Sequence, residues 1–360
     1  MPCADNPKCV PLTKLCIPAL LTLLSACGGS GGSGSDSAST SSQASSGDTS
    51  SSSNMISSSS AISSSIPSSS SHSSPSSASS SIASASSSST AVISENILFD
   101  DFNYTDSTQM PTNGWYVRTG GGGPGISGAS WSAGYVSFLD DPDNNSNRLM
   151  SMRASTAGSG ATTVQSQITH DGNYLRGTYA ARMYFYNEPT SGTDGDQIVE
   201  TFYTITPLEF SMDPDYSEID FEYLANGGWG QSQPTMFLTT WETYQPDPWI
   251  ADNTHTTLVA DHAGWHTLVV QVDEDQVRYY IDGTLRATHG GKYYPETAMS
   301  INFNIWFIEG GLINSSSERV YQQDVDWVYF VDQEVLSPQE VQAQVEQLQM
   351  DSVVFRNSAN

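Results

Sequence analysis

The chain has 360 residues, of which 39 are Asp or Glu and 12 are Lys or Arg, giving a formal charge of −27. So acidic a chain excludes nucleic acid or an anionic polymer as a partner held by a basic patch, and favours neutral partners or cations. All four cysteines (Cys3, Cys9, Cys16 and Cys27) fall at the N-terminal end, so the rest of the chain has no disulfide, thiolate metal site or cysteine nucleophile.

At the N-terminus, Lys8 and Lys14 flank the approach to the apolar run "LCIPALLTLL", and "LSAC" follows. This is the layout of a signal peptide over residues 1–27, and the run is too short to span a bilayer. Leu24-Ser25-Ala26-Cys27 is similar to the bacterial lipobox, whose cysteine is lipidated and becomes the new N-terminus. The expected location is therefore the bacterial cell envelope, lipid-anchored at the outer membrane or cell surface, with simple secretion as the alternative. Residues 28–93 are mostly Ser with Gly, Ala and Thr, too poor in apolar groups to offset the entropy of ordering. They read as a flexible tether with an end-to-end distance of roughly 45 Å.

Residues 94–335 change character. Short alternating runs such as "NILFDDF", "GYVSFLD", "GTYAARMYFY", "SEIDFEYL", "WHTLVVQV", "MSINFNIWFI" and "DVDWVYFV" are separated by Gly, Pro, Asn and Asp. About twelve such runs, with no long helical period between them, predict an all-β domain: an antiparallel β-sandwich or jelly roll. Only "SPQEVQAQVEQLQM" reads as helix, within a C-terminal segment 336–360. Ser337 is its N-cap, Pro338 its first residue and Glu340 completes a capping box, while Val341, Val345, Leu348 and Met350 supply an apolar stripe.

The run "SEIDFEYLANGGWG" places Glu218, Asp220 and Glu222 on one face of a strand and Ile219, Phe221 and Tyr223 on the other. Positions four apart on a strand lie about 13 Å from each other. Two glutamates leaning inward bring their carboxyls to about 5 Å, the separation of nucleophile and acid/base in a retaining glycosidase. Like charges this close push at least one carboxyl to keep its proton near neutrality while another ionises. A solvated acidic face is the bland alternative, although a structural strand would normally disperse such repulsion. Trp229, Trp241, Tyr244 and Trp249 follow in loop-like sequence and suit stacking on pyranose rings, whereas Trp265 and Trp327 lie in strands patterned for the core. His262 and His266 in "HAGWH" are too few to propose zinc.

"EIDFE" resembles the E-[ILV]-D-x-E signature of glycoside hydrolase family 16. "GTYAARMYFY", "FYTIT", "GWHTLVVQVDEDQVRYYIDGTLRAT", "FNIWF" and "DVDWVYF" are similar to further family segments in the same order. The resemblance covers about residues 96 to 331 and implies a jelly-roll glycosidase acting on a neutral polysaccharide. It implies Glu218 as nucleophile, Asp220 as assisting acid and Glu222 as acid/base. Asn304 and Trp306 become a substrate-binding pair, Arg182 a contact to sugar hydroxyls, and Trp229 a platform at the cleft edge. Catalysis needs no cofactor, while Asp326 matches a position that holds a structural Ca²⁺ in several members. The expected activity is an endo-acting, retaining β-glucanase, working as a monomer. A transglycosylase and a non-catalytic carbohydrate-binding protein are the alternatives on the same scaffold. Ala180, Ile205 and Val272 depart from the residues of licheninases, so subsites are rewritten. The uninterrupted E-x-D-x-E spacing favours the branch active on mixed-linkage glucan and xyloglucan, because the longer E-x-D-x-x-E form carries a bulge residue.

Overall fold

The computed structural model describes residues 91–359; the expected signal peptide, Cys27 and nearly all of the tether lie outside the described residues. In chain order the first strands are β1 (Ile97–Asp100), β2 (Trp115–Val117), β3 (Gly120–Gly121), β4 (Ser130–Trp131), β5 (Val136–Asp141), β6 (Asn144–Thr156) and β7 (Val164–Tyr174). Then come β8 (Gly177–Phe185), β9 (Ile198–Ile205), β10 (Glu218–Leu224), β11 (Thr235–Pro246), β12 (Trp249–Val259), β13 (Gly264–Asp273) and β14 (Gln276–Ile281). The last are β15 (Thr284–Gly290), β16 (Met299–Phe307), β17 (Arg319–Asp332), the helix α1 (Pro338–Met350) and β18 (Phe355–Asn357).

These strands form the two layers of a jelly-roll sandwich. One layer is antiparallel throughout, in the order β2-β7-β16-β9-β10-β11-β12. The other runs β17-β8-β13-β14-β15; the first half of β17 pairs with β6 and its second half with β1. Alternation sorts the side chains between core and surface. Ile219, Phe221 and Tyr223 join Phe202, Leu238 and Phe303 in the buried core, facing Ala181, Met183, Val270, Tyr279 and Val328 from the second layer. Phe221 stacks on Phe202 at 6.1 Å and meets the edge of Tyr279 at 5.3 Å. Each such buried side chain contributes on the order of 1.5–3 kcal/mol, so the alternation that fills the core also fixes which residues face out.

The helix forms where its capping box predicts, with Ser337 and Glu340 bonded reciprocally. It covers the outer face of the second layer, where Val341, Val345 and Leu348 pack against Val269, Trp327 and Tyr329. Met350 does not join this stripe and is 71% exposed, because the helix ends there and its last turn rises clear of the sheet. After the helix the chain returns as β18 to extend β1, which the sequence had not marked.

Candidate active site

Strand β10 pairs residue for residue with β9 and β11, without a bulge. With Ile219, Phe221 and Tyr223 committed to the core, Glu218, Asp220 and Glu222 emerge together on the opposite face of the sheet. Their strand partners are Ile205, Tyr203 and Thr201 on β9, and Trp241, Thr239 and Phe237 on β11.

The three acids differ in what donates to them. Glu218 Oε2 accepts the Tyr216 hydroxyl, and Glu218 and Asp220 are also hydrogen-bonded to each other. Asp220 Oδ2 accepts the Trp241 indole N–H at 2.9 Å. Glu222 has no hydrogen-bond donor among the described residues. Burial raises Glu218 to about 7, against the pull of the Tyr216 and Asp220 hydroxyls. Burial, then the charge of Glu218, raises Glu222 to about 8. Asp220 is pushed well above the ordinary carboxylate range, by burial and then by the charges of Glu218 and Glu222 on either side. Among the described residues no cation pairs with the row. Three like carboxyls this close favour keeping a proton on at least one of them.

Aromatic walls flank the row at both ends. Beyond Glu222, Trp229 meets Phe237 at 5.3 Å and Trp306 at 6.0 Å. The turn that carries Trp229 explains "NGGWG". A side chain at Gly227 would lie 2.5 Å from the Gln231 carbonyl, and one at Gly228 would lie 2.5 Å from Ile308. Only glycine allows so tight a turn, and Trp229 is left at its tip, 45% exposed and itself at φ +49°. Beyond Glu218, Trp241, Tyr244 and Trp249 cluster on the β11–β12 hairpin, with Tyr216 against Tyr244 at 5.2 Å. Between the walls the face is polar: Thr201, Asn302, Asn304, Gln167 and Thr169 continue it across β9, β16 and β7. Two concave pockets lie away from the row, one at Pro111, Trp115 and Tyr116 and another at Leu258, His262 and Asp282.

Of the residues expected at the site, Glu218, Asp220, Glu222, Trp229, Asn304 and Trp306 share this face. Asn304 is 3% exposed; its amide accepts from Thr201 at 2.6 Å and donates one N–H to the Tyr203 hydroxyl at 3.2 Å. It therefore holds Tyr203, the strand partner of Asp220.

Arg182 is not at the site. Strand β8 belongs to the second layer, and Ala181 and Met183 fill its core-facing positions, which turns Arg182 to the outer surface. There its guanidinium contacts Asp326 at 2.6 Å and lies 4.1 Å over the ring of Trp265. Trp327 is buried as patterned, but Trp265 is a half-buried outer residue that carries this cation. The concave-layer strand beside Asn304 is instead β7, with Gln167 opposite Asn304 and bonded to Arg118. The polar alternation of "TTVQSQITH" is a signal that the sequence reading passed over; the Tyr216 and Trp241 donors left no local signal.

Asp326 does not fit a calcium ion. One carboxylate oxygen takes the Arg182 guanidinium and the other takes the Asn147 amide at 2.7 Å, so a resident cation and a neutral donor already satisfy it. Among the described residues no group of three or more His, Cys, Asp or Glu is arranged to hold a metal.

The family model for glycosyl hydrolases family 16 matches residues 129–329. Among solved structures the chain is similar to a Bacillus licheniformis β-glucanase, with 20% identity over 66% of this chain and 99% of that one, at a TM-score of 0.48. It is also similar to a family 16 endo-glucanase from Bacteroides ovatus, with 17% identity over 65% and 99% at a TM-score of 0.49. A laminarinase from Flavobacterium is 14% identical over 65% and 98%, at a TM-score of 0.46. No curated protein sequence matches the chain. With a family model covering more than half of its length, the chain belongs to the glycosyl hydrolases of family 16 and is a glycosidase.

Proposed function

We propose that this glycosidase is an endo-acting, retaining β-glucanase, and the observation that carries the reading is the unequal supply of donors along β10. Glu218, held by two hydroxyls, is the anion and the nucleophile. Glu222, without a donor and beside a negative charge, keeps its proton and is the acid/base. Glu222 protonates the leaving glycosidic oxygen as Glu218 attacks the anomeric carbon and the C–O bond breaks, giving a covalent glycosyl-enzyme. A water then gives its proton to Glu222, its oxygen attacks the anomeric carbon, and Glu218 leaves as carboxylate with the configuration retained. Asp220 keeps its own proton throughout and orients Glu218.

A polar sheet face between two aromatic walls suits the interior of a polymer, which supports endo action. Among the described residues no cation pairs with the acid row, which supports a neutral β-glucan. Unbroken pairing of β10 with both neighbours supports the mixed-linkage branch, since no bulge re-aims Glu222. We also propose that Cys27 anchors the enzyme to the cell envelope.

Release of reducing ends from barley β-glucan, lichenan, laminarin, xyloglucan and carboxymethylcellulose tests the reading. Oligosaccharides of intermediate length from the first two are expected. Binding without release from any of the five would sink the hydrolase assignment.

A further inference from the structure

We propose that Tyr216 and Trp241 are positioning residues that make Glu218 the anion of the row; the inference rests on the retaining mechanism proposed above. Two donors enter the row from outside β10, each at one atom. The Tyr216 hydroxyl is aimed at Glu218 Oε2, and the Trp241 N–H at Asp220 Oδ2. Asp220, whose Oδ2 takes the indole, is also hydrogen-bonded to Glu218. Glu218 thus receives one hydroxyl from Tyr216 and one from Asp220, while Glu222 receives none.

Both donors are held rigidly by one aromatic wall. Tyr216 is 3% exposed and packs on Tyr244, and the Trp241 ring packs between Tyr244 at 6.0 Å and Trp249 at 6.1 Å. Other titratable groups facing Glu218 and Asp220 are Glu222 on the same strand, Tyr203 from β9, Tyr244 from β11, His255 from β12 beside Phe237, and Tyr279 from the core side. The Tyr279 hydroxyl goes to the Thr239 carbonyl, and Tyr203 takes the Asn304 amide. Arg118, a basic group farther along this face, is tied to Gln167 and the Gly123 carbonyl. Selection of the anion therefore falls to two neutral donors.

The pH dependence of kcat/KM on an aryl β-glucan oligosaccharide separates this from mere support of the fold. Tyr216→Phe removes only the hydroxyl and should move the acidic limb up by about one pH unit, leaving the alkaline limb in place. Trp241→Phe keeps a ring in the wall but frees Asp220 to rotate, and should move the same limb in the same direction. Site-specific 3,5-difluorotyrosine at position 216 keeps the shape, donates more strongly and should move the limb down, which keeps the test decisive if a Phe variant fails to fold. Unmoved limbs in all three proteins, with activity lowered uniformly or unchanged, would overturn the proposal. A ¹³C carboxyl titration of the row reads the same shifts without turnover, so an enzyme inactive on every glucan would overturn the glucanase reading and leave this one to its own result.

Discussion

Glu222 and Asp326 stand on strands of opposite layers, each turned away from the shared core. Asp326 has a guanidinium at 2.6 Å on one oxygen and an amide at 2.7 Å on the other. Glu222 has neither, and it shares its strand face with two more carboxyls. The outer acid shows how a fold ordinarily disposes of a charge, by pairing it and satisfying both oxygens. The acid of the row is left uncompensated, an arrangement that raises its proton affinity and does nothing for the sandwich. Such groups persist where the proton is used.

The sharpest way to break this contrast is to remove the charges one at a time. Glu218→Gln should lower kcat by at least about 1,000-fold on every substrate, because the nucleophile is lost. Glu222→Gln should cost as much on a polymeric glucan but far less in the glycosylation step of a dinitrophenyl glycoside, whose leaving group needs no proton. Burst kinetics on that substrate check the difference; equal losses on both substrates would reverse or remove the acid/base assignment.

The sandwich, the capped helix and the acid row were legible because each is a local pattern: alternation, a capping box, and three acids at a spacing of two. Arg182 shows what local pattern leaves out. Its strand alternates as a strand beside the acid row would, and only pairing with β13 and β17 puts it in the outer layer. The same holds for Tyr216 and Trp241, whose aromatic character was plain but whose targets depend on how β10 and the hairpin meet. Met350 failed for a boundary reason, since the stripe outlasts the turn that could bury it.

Stability should respond to pH through the buried acids. Asp100 and Asp101, buried near the start of the domain, are raised to about 7, chiefly by burial. Glu218 lies at about 7 and Glu222 at about 8, and Glu200, buried in the core with only the Tyr186 N–H, is raised well above its usual value. Each of these shifts is upward, so these groups hold more protons in the folded chain than in the unfolded one. This stability is fully present below about pH 4 and is lost as pH rises through 7 to 8. Thermal unfolding should show Tm falling by several degrees between pH 5 and pH 9, and Glu200→Gln should flatten that slope. Activity, needing Glu218 ionised and Glu222 protonated, should peak between about 7 and about 8, where part of this stability is already lost.

On the outer face the expectation inverts. Arg182→Met removes a partner from a nearly buried carboxylate and should destabilise the fold by about 1–3 kcal/mol in denaturant titrations. Because β8 lies in the other layer, kcat and KM should stay unchanged, and a chelator should leave Tm where it was. A Tm that drops with chelator would restore a metal role to Asp326.

The smallest expected effect concerns the two aromatic walls. The wall beyond Glu218 is bonded into the row through Trp241 and Tyr216, whereas the wall beyond Glu222 touches the row only by packing: Trp229 contacts Phe237 and Trp306 and no carboxylate. Trp229→Ala should therefore raise KM for β-glucan about three- to tenfold, as expected for one lost ring contact, with kcat nearly unchanged. The pH limbs should stay in place, since no donor to Glu222 has been removed. If Trp229→Ala shifted the alkaline limb, the two walls would differ less than their hydrogen bonds indicate, and the Trp229 turn would be setting the environment of Glu222 as well as the grip on substrate.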